Sequence, residues 1–180
     1  MTIFPARLKR KYNRNKKFFF SKLQNIYSGA GSGLGAGVSK QLAAKGVTVI
    51  CWDVNVRGNI NTVNEIINSG GKAFSFKCDV SNREEVYAVA KESAKIAGDV
   101  TILVNNAGVV GGKSFVEEDD KMILKTFEVN AISHFWTTKA FLPKMMEKNH
   151  GHIGKKFSSK QYLFSFLTFL ALSRSVVLTK

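Results

Sequence analysis

Residues 28–37 read SGAGSGLGAG, a density of glycine that suits backbone chemistry rather than side-chain chemistry. Glycine takes positive φ freely and brings no Cβ, so such a loop lets main-chain N–H groups close around an anion where the next helix begins. Two spacings fit: G-x-G-x-x-A through Gly31, Gly33 and Ala36, or G-x-x-x-G-x-G through Gly29, Gly33 and Gly35. Asp53 stands 18 residues after Gly35. An acid at the end of the next strand would hydrogen-bond the ribose hydroxyls of a dinucleotide and repel a 2′-phosphate, which predicts NAD rather than NADP.

The elements that must hold this loop are legible in the apolar pattern. VTVICW (47–52), AFSF (73–76) and VTILV (100–104) are near-continuous apolar runs, as expected of strands in a sheet covered on both faces. Amphipathic stretches alternate with them, at 34–44, at about 60–68, and at about 82–97, where SNREE supplies a Ser cap and acids in the first turn. A longer helical region spans about 117–148, with Pro143 placed to kink or restart it. Strand and helix in alternation predict an α/β fold, a Rossmann-like doubly wound parallel sheet with helices on both faces.

A formal net charge of +14 over 180 residues raises nucleic acid or an anionic membrane as a partner, but the charge is unevenly placed. Residues 1–24 carry eight basic residues and no acid, and residues 154–180 carry five and no acid. The span between is close to neutral, so nucleic acid is not expected as a partner of the fold. Cys51 and Cys78 give no disulfide framework and no zinc spacing. The apolar run from Tyr162 to Ser173 is 12 residues long, short of the roughly 20 a spanning helix needs. The expected organisation is a basic arm over 1–24, a nucleotide-binding domain over 25–153, and a basic and apolar tail over 154–180.

Four signals occur in one order: Ser28-Gly29 with Gly33 and Gly35, then Asp53, then Cys78-Asp79-Val80, then Asn105-Asn106-Ala107-Gly108. In this the chain resembles the short-chain dehydrogenase/reductase family. GDVTILVNNAGVV, KTFEVNAISHFWTTKAFLP and NHGHI are similar to its branch of retinol and 17-beta-hydroxysteroid dehydrogenases. The resemblance implies cofactor contacts at Ser28, Gly29, Gly33, Leu34, Gly35 and Asp53. It also implies adenine contacts at Asp79 and Val80, and a channel lined by Asn106, Ala107 and Gly108. Asn130 matches the asparagine that holds a water in the family's proton relay, and Ser158 falls in the register of the catalytic serine. The implied activity is oxidation of the CH–OH group of lipid alcohols, retinoid or steroid, with NAD. A homodimer is implied, as is a place at the endoplasmic reticulum or lipid-droplet surface, the cytoplasm being the default without a membrane contact.

Both flanks depart from the family pattern. After GHI the chain runs into GKKFSSK, so Gly154, Lys155 and Lys156 stand where an apolar strand would aim the serine. The family's tyrosine and lysine registers hold Ala171 and Ser175. That tyrosine is the general acid/base and the lysine lowers its pKa, so the chain is expected to lack turnover. The alternatives are a non-catalytic nucleotide-binding fragment and a membrane-associating basic protein. Tyr12 with Lys16 and Tyr87 with Lys91 repeat the string YxxxK at places remote from the implied nicotinamide. At the front, SKLQNIYS should supply the central strand, which would bury Gln24 and Asn25 without obvious partners. His134, His150 and His152 are assigned structural or surface positions, and Phe127, Phe135, Trp136 and Phe141 to core and interface.

Overall fold

A computed structural model describes residues 23–114 and 116–155, and the backbone of 176–178. Strands β1 (Gln24–Ser28), β2 (Thr48–Asp53), β3 (Lys72–Lys77), β4 (Ile102–Asn105), β5 (Gly151–Lys155) and β6 (Val176–Leu178) form one sheet in the order β3-β2-β1-β4-β5-β6. The first five are parallel and β6 is antiparallel to β5. Helices α1 (Gly33–Ala44), α2 (Val56–Asn68) and α3 (Arg83–Ala97) are the crossovers between β1 and β4. Helices α4 (Asp120–Phe127) and α5 (Ser133–Glu147), joined by a π-helical turn over Glu128–Ile132, lead to β5.

The period-2 alternation of each strand divides its apolar residues between two cores. Tyr27, Val49, Cys51 and Ala73 face α1 and α2, where they meet Ala43, Val63 and Ile66. Ile26, Ile50, Trp52 and Leu103 face the other way, against Val86 and Ala90 of α3 and Phe141 and Met145 of α5. Trp52 is wholly buried, its ring 5.7 Å from that of Phe141 and its Nε1 donating to Ser93 Oγ at 3.0 Å. Burial on both faces explains why the strands read as continuous apolar runs. Phe141 is core, Trp136 is partly covered with the Arg83 guanidinium 5.9 Å over its ring, and Phe135 is exposed.

Several boundaries differ from the sequence reading. Helix α2 begins at Val56 rather than near 60, because Asn55 caps it by accepting from Gly58 N at 3.0 Å. Helix α3 is capped by Asn82, whose side chain accepts from Glu85 N at 3.0 Å, and not by Ser81, whose hydroxyl is committed to Asp79. Pro143 lies inside α5 without ending it; the long helical region is interrupted instead at the π-helical turn.

Strand β1 forms in full and takes the centre of the sheet despite its polar start. Gln24 is only half-buried and has partners, its backbone N donating to Thr101 Oγ1 at 3.0 Å and its carbonyl accepting from Thr101 N. Asn25 matches the expectation: it is buried, and its Oδ1 has no partner. The departure at Gly154 and Lys155 does not prevent a strand. Backbone hydrogen bonds tolerate either residue, and β5 runs beside β4 with Lys155 opposite Asn105. Among the described residues no helix is long and apolar enough to cross a membrane.

Candidate functional site: a cleft at the switch point of the sheet

Strand order reverses between β1 and β4, the point at which crossovers leave the sheet in opposite directions and open a crevice at the carboxyl ends of the strands. A cleft of about 500 Å³ lies there, walled by the loops after β1, β2, β3 and β4.

The loop after β1 brings Gly29, Gly33, Leu34 and Gly35 to the cleft wall. Gly29 and Gly33 have φ of +70° and +51°, values that side chains rarely adopt. The conformation follows the second of the two glycine spacings, because a Cβ on Gly35 would overlap the Gly29 carbonyl. The N-terminus of α1 opens on the same space. Its N-cap residue, Ser32, makes no side-chain cap bond, and no acid occupies the first turn. The first N–H groups of α1 and the positive end of its dipole are therefore left for an anion.

Asp53 ends β2 and lines the cleft. Its Oδ2 accepts from Gly31 N at 2.7 Å and its Oδ1 from Asn55 N at 2.8 Å. The carboxylate thus braces the glycine loop and keeps one further lone pair on each oxygen for a ligand hydroxyl.

Beyond β3, Asp79 and Val80 form another part of the wall. Asp79 Oδ1 accepts from Ser81 N at 2.9 Å and Ser81 Oγ at 2.7 Å, and its Oδ2 pairs with Lys125 Nζ at 3.2 Å. Burial pushes the carboxyl pKa up, but the Ser81 bonds and the Lys125 ammonium together outweigh it and hold Asp79 below the ordinary carboxylate range. Cys78 lines the cleft as well, and its thiol is pushed up to about 12 by burial and by the negative charges of Glu85 and Asp79. A thiol so placed is not a nucleophile at neutral pH.

Asn106, Ala107 and Gly108, after β4, line the cleft between these walls. Ser28 is not on the wall; it works from behind. Its Oγ accepts from the N–H groups of Asn106 and Ala107, both at 3.0 Å, while Asn106 Nδ2 donates to the carbonyls of Ser28 and Gly29 at 2.9 and 3.2 Å. The loops after β1 and β4 are therefore locked together.

Asn130, in the π-helical turn, faces Val109 rather than the cleft. Its Oδ1 accepts from Val109 N at 2.9 Å and its Nδ2 donates to Val109 O at 2.7 Å. Thr137 Oγ1, two turns on, donates to Asn105 Oδ1 at 2.8 Å. His134 is buried on the same helix, its Nδ1 without a partner, and burial together with the Lys155 charge lowers its pKa to about 4. Among the described residues no cluster of three His, Cys, Asp or Glu side chains could hold a metal ion. Ser158, Tyr12, Ala171 and Ser175 lie outside the described residues. Tyr87 and Lys91 are on α3, away from the cleft.

Sequence reasoning did not single out Ser32, Val54, Val109, Lys125 or Val129, which also line the cleft. Lys125 was within reach as the first residue of KTFEVN. Its meeting with Asp79, 46 positions earlier, is a tertiary contact that no local spacing encodes.

The family model for short chain dehydrogenases matches residues 25–159. Short-chain dehydrogenase/reductase family 16C member 6 of Bos taurus is 47% identical over 129 residues, 71% of this chain and 41% of that protein. Estradiol 17-beta-dehydrogenase 11 of Mus musculus is 46% identical over 128 residues, and epidermal retinol dehydrogenase 2 of the same species 45% over 130, each alignment covering 71% of this chain and, respectively, 43% and 42% of the relative. The chain thus spans about two fifths of the length of these relatives. Among solved structures, a hydroxysteroid dehydrogenase from Escherichia coli superposes with TM-score 0.77 at 28% identity, over 88% of this chain and 69% of that one. A metagenomic short-chain oxidoreductase in complex with NADP gives 0.70, also at 28% identity, over 74% and 61%. With the glycine loop, the switch-point cleft and 135 residues of continuous family match in agreement, the chain belongs to the short-chain dehydrogenase family.

Proposed function

We propose that residues 25–153 are the dinucleotide-binding part of an oxidoreductase acting on the CH–OH group of lipid alcohols, and that NAD is preferred over NADP. The observation that carries this reading is the juxtaposition of the uncapped α1 N-terminus with Asp53 in one cleft. A pyrophosphate suits the first, where N–H donors and the dipole favour negative charge. Ribose hydroxyls suit the second, and a 2′-phosphate would meet a carboxylate there. The cofactor, when bound, accepts a hydride. This chain's residues bind and orient it, through backbone donors on one side and the locked 106–108 loop on the other.

The names of the relatives, estradiol 17-beta-dehydrogenase and epidermal retinol dehydrogenase, support the substrate class. In the family register, Ala171 and Ser175 supply no general acid or base, so these 180 residues bind cofactor without turnover; general acid/base help alone contributes about 100- to 10,000-fold. Calorimetry with both cofactors tests the binding, and Asp53→Asn is the informative variant because it keeps an acceptor for Gly31 N while removing the charge. Tighter NAD binding by the wild type, with the preference narrowed in Asp53→Asn, is expected. Equal or tighter NADP binding by the wild type overturns the cofactor assignment. NAD-dependent oxidation of retinol or a steroid by the same chain overturns the absence of turnover.

A further inference from the structure

Lys125 belongs to α4 and, like Val129 of the π-helical turn, lies outside the βαβ loops that make the rest of the cleft; among the described residues that line the cleft it is the one basic side chain. It does not point free into the space. Its Nζ lies 3.2 Å from Asp79 Oδ2 and 2.6 Å from Ser81 Oγ, and Ser81 in turn gives both its N–H and its hydroxyl to Asp79 Oδ1. A carboxylate offers about four acceptor positions, two on each oxygen. Ser81 fills both on Oδ1 and Lys125 fills one on Oδ2. One acceptor position remains, on an oxygen whose direction is fixed from two sides, on a carboxylate that lines the cleft.

What would meet that oxygen follows from strand order. The glycine loop follows β1, Asp53 ends β2, and Asp79 lies two residues beyond β3, with the three strands adjacent as β3-β2-β1. A dinucleotide whose pyrophosphate rests on α1 and whose ribose reaches Asp53 must carry its base outward past β2 toward Asp79. We propose that Lys125 is a specificity-determining positioning residue, which by clamping Asp79 makes this end of the cleft select a purine bearing an exocyclic amino group over one bearing an oxygen there. The proposal rests on the dinucleotide reading above. An N–H edge completes the fourth acceptor position. A carbonyl oxygen in its place faces an oxygen with no proton to offer, and both are left unpaired.

The test compares NAD with its hypoxanthine analogue, in which oxygen replaces the 6-amino group of adenine, by calorimetry on the 180-residue chain. The wild type is expected to favour NAD by about tenfold, the worth of one charge-assisted hydrogen bond. Lys125→Met, which keeps the aliphatic stem, is expected to bring the two ligands within about twofold, and Lys125→Arg to restore most of the preference. Ser81→Ala removes the hydroxyl that joins the other two groups and should narrow the ratio independently, so the proposal stays testable if one variant folds poorly. If Lys125→Met weakens both ligands equally and leaves the ratio intact, Lys125 is a general anion contact and the proposal is overturned. A wild type that binds both ligands equally overturns it as well. A wild type that binds neither dinucleotide refutes the dinucleotide reading itself, which is a different result.

Discussion

A Cβ built on Gly35 would stand 1.9 Å from the carbonyl oxygen of Gly29, inside the radius of any real contact. The first turn of α1 and the loop that feeds it touch backbone to backbone, and that closeness lets the helix N-terminus reach the cleft. Gly35→Ala is expected to force the loop open, lowering stability by about 2 kcal/mol or more and NAD affinity by at least about tenfold. Gly37, one residue beyond Ala36, meets nothing within 4 Å and lies inside α1. Gly37→Ala should therefore raise stability by about 0.5 to 1 kcal/mol and leave NAD affinity unchanged. Paired thermal melts and calorimetry read both effects; equal outcomes at the two positions would contradict the packing argument.

Asn130 satisfies both backbone groups of Val109 with one amide. Removing it leaves a part-buried donor and a part-buried acceptor to water at the cleft wall, so the cost per group lies at the lower end of the roughly 1 to 3 kcal/mol of a buried unsatisfied group. Asn130→Ala should lower the free energy of unfolding by about 1 to 2 kcal/mol in denaturant titrations. Asn130→Asp keeps an acceptor for Val109 N but sets a carboxylate oxygen against Val109 O, so it is expected to destabilise as well. A loss under about 0.5 kcal/mol for both variants would mean that the loop is held by other contacts.

The sheet was legible in the sequence because burial on both faces leaves a mark that local reading detects: apolar runs at 47–52, 73–76 and 100–104 fall on β2, β3 and β4 to within two residues. The glycine loop was legible for a similar reason, since a backbone conformation restricts residue type directly. Side-chain roles were less so. Asp53 and Asn106 were singled out from the sequence and both line the cleft, yet neither the bond from Gly31 N to Asp53 nor the Asn106 clamp on Ser28 and Gly29 has a signal in spacing. The start of α2 was missed at Asn55, and α3 was given the wrong cap although its start fell within one residue, because serine and asparagine are equally good caps and only geometry separates neighbours such as Ser81 and Asn82. The π-helical turn was invisible, since one extra residue in a helix does not change its apolar periodicity enough to be read.

His134 makes the fold acid-sensitive. Burial, aided by the Lys155 charge, lowers its pKa to about 4 from an ordinary 6.5, so in the unfolded chain it takes up its proton first. Stability from this group is complete above about pH 6.5 and is lost as the pH falls from there toward 4, by roughly 2 to 3 kcal/mol. Asp79, held below its ordinary range, adds its own loss only at lower pH, as the solution falls through the native carboxyl pKa. His134→Phe should flatten the stability curve between pH 6.5 and 4 while leaving the steeper fall below pH 4. Urea unfolding at half-unit pH intervals makes the comparison, and an unchanged slope in His134→Phe would assign the acid sensitivity elsewhere.

Asn25 occupies the middle of the sheet, opposite Val49 on one side and Ile102 on the other, is 1% exposed, and has an Oδ1 that finds no partner. An amide oxygen buried in that state costs about 1 to 3 kcal/mol. The strand forms nonetheless because its backbone pairs with β2 along its whole length and with β4 from Asn25 to Tyr27, which side-chain chemistry does not alter. Replacing both the polar atom and its desolvation with an apolar β-branched side chain removes that cost and suits a central parallel strand. Asn25→Val should therefore stabilise the chain, by about 1 kcal/mol after allowing for the slightly larger volume the site must take up. Because Asn25 does not line the cleft, NAD affinity should not change beyond what the larger folded fraction supplies. Thermal and urea unfolding of the two chains at the same pH decide the matter: a less stable Asn25→Val would show that the amide has a hydrogen-bond partner in solution, and that the polar start of β1 is a supported feature of the sheet rather than a burden on it.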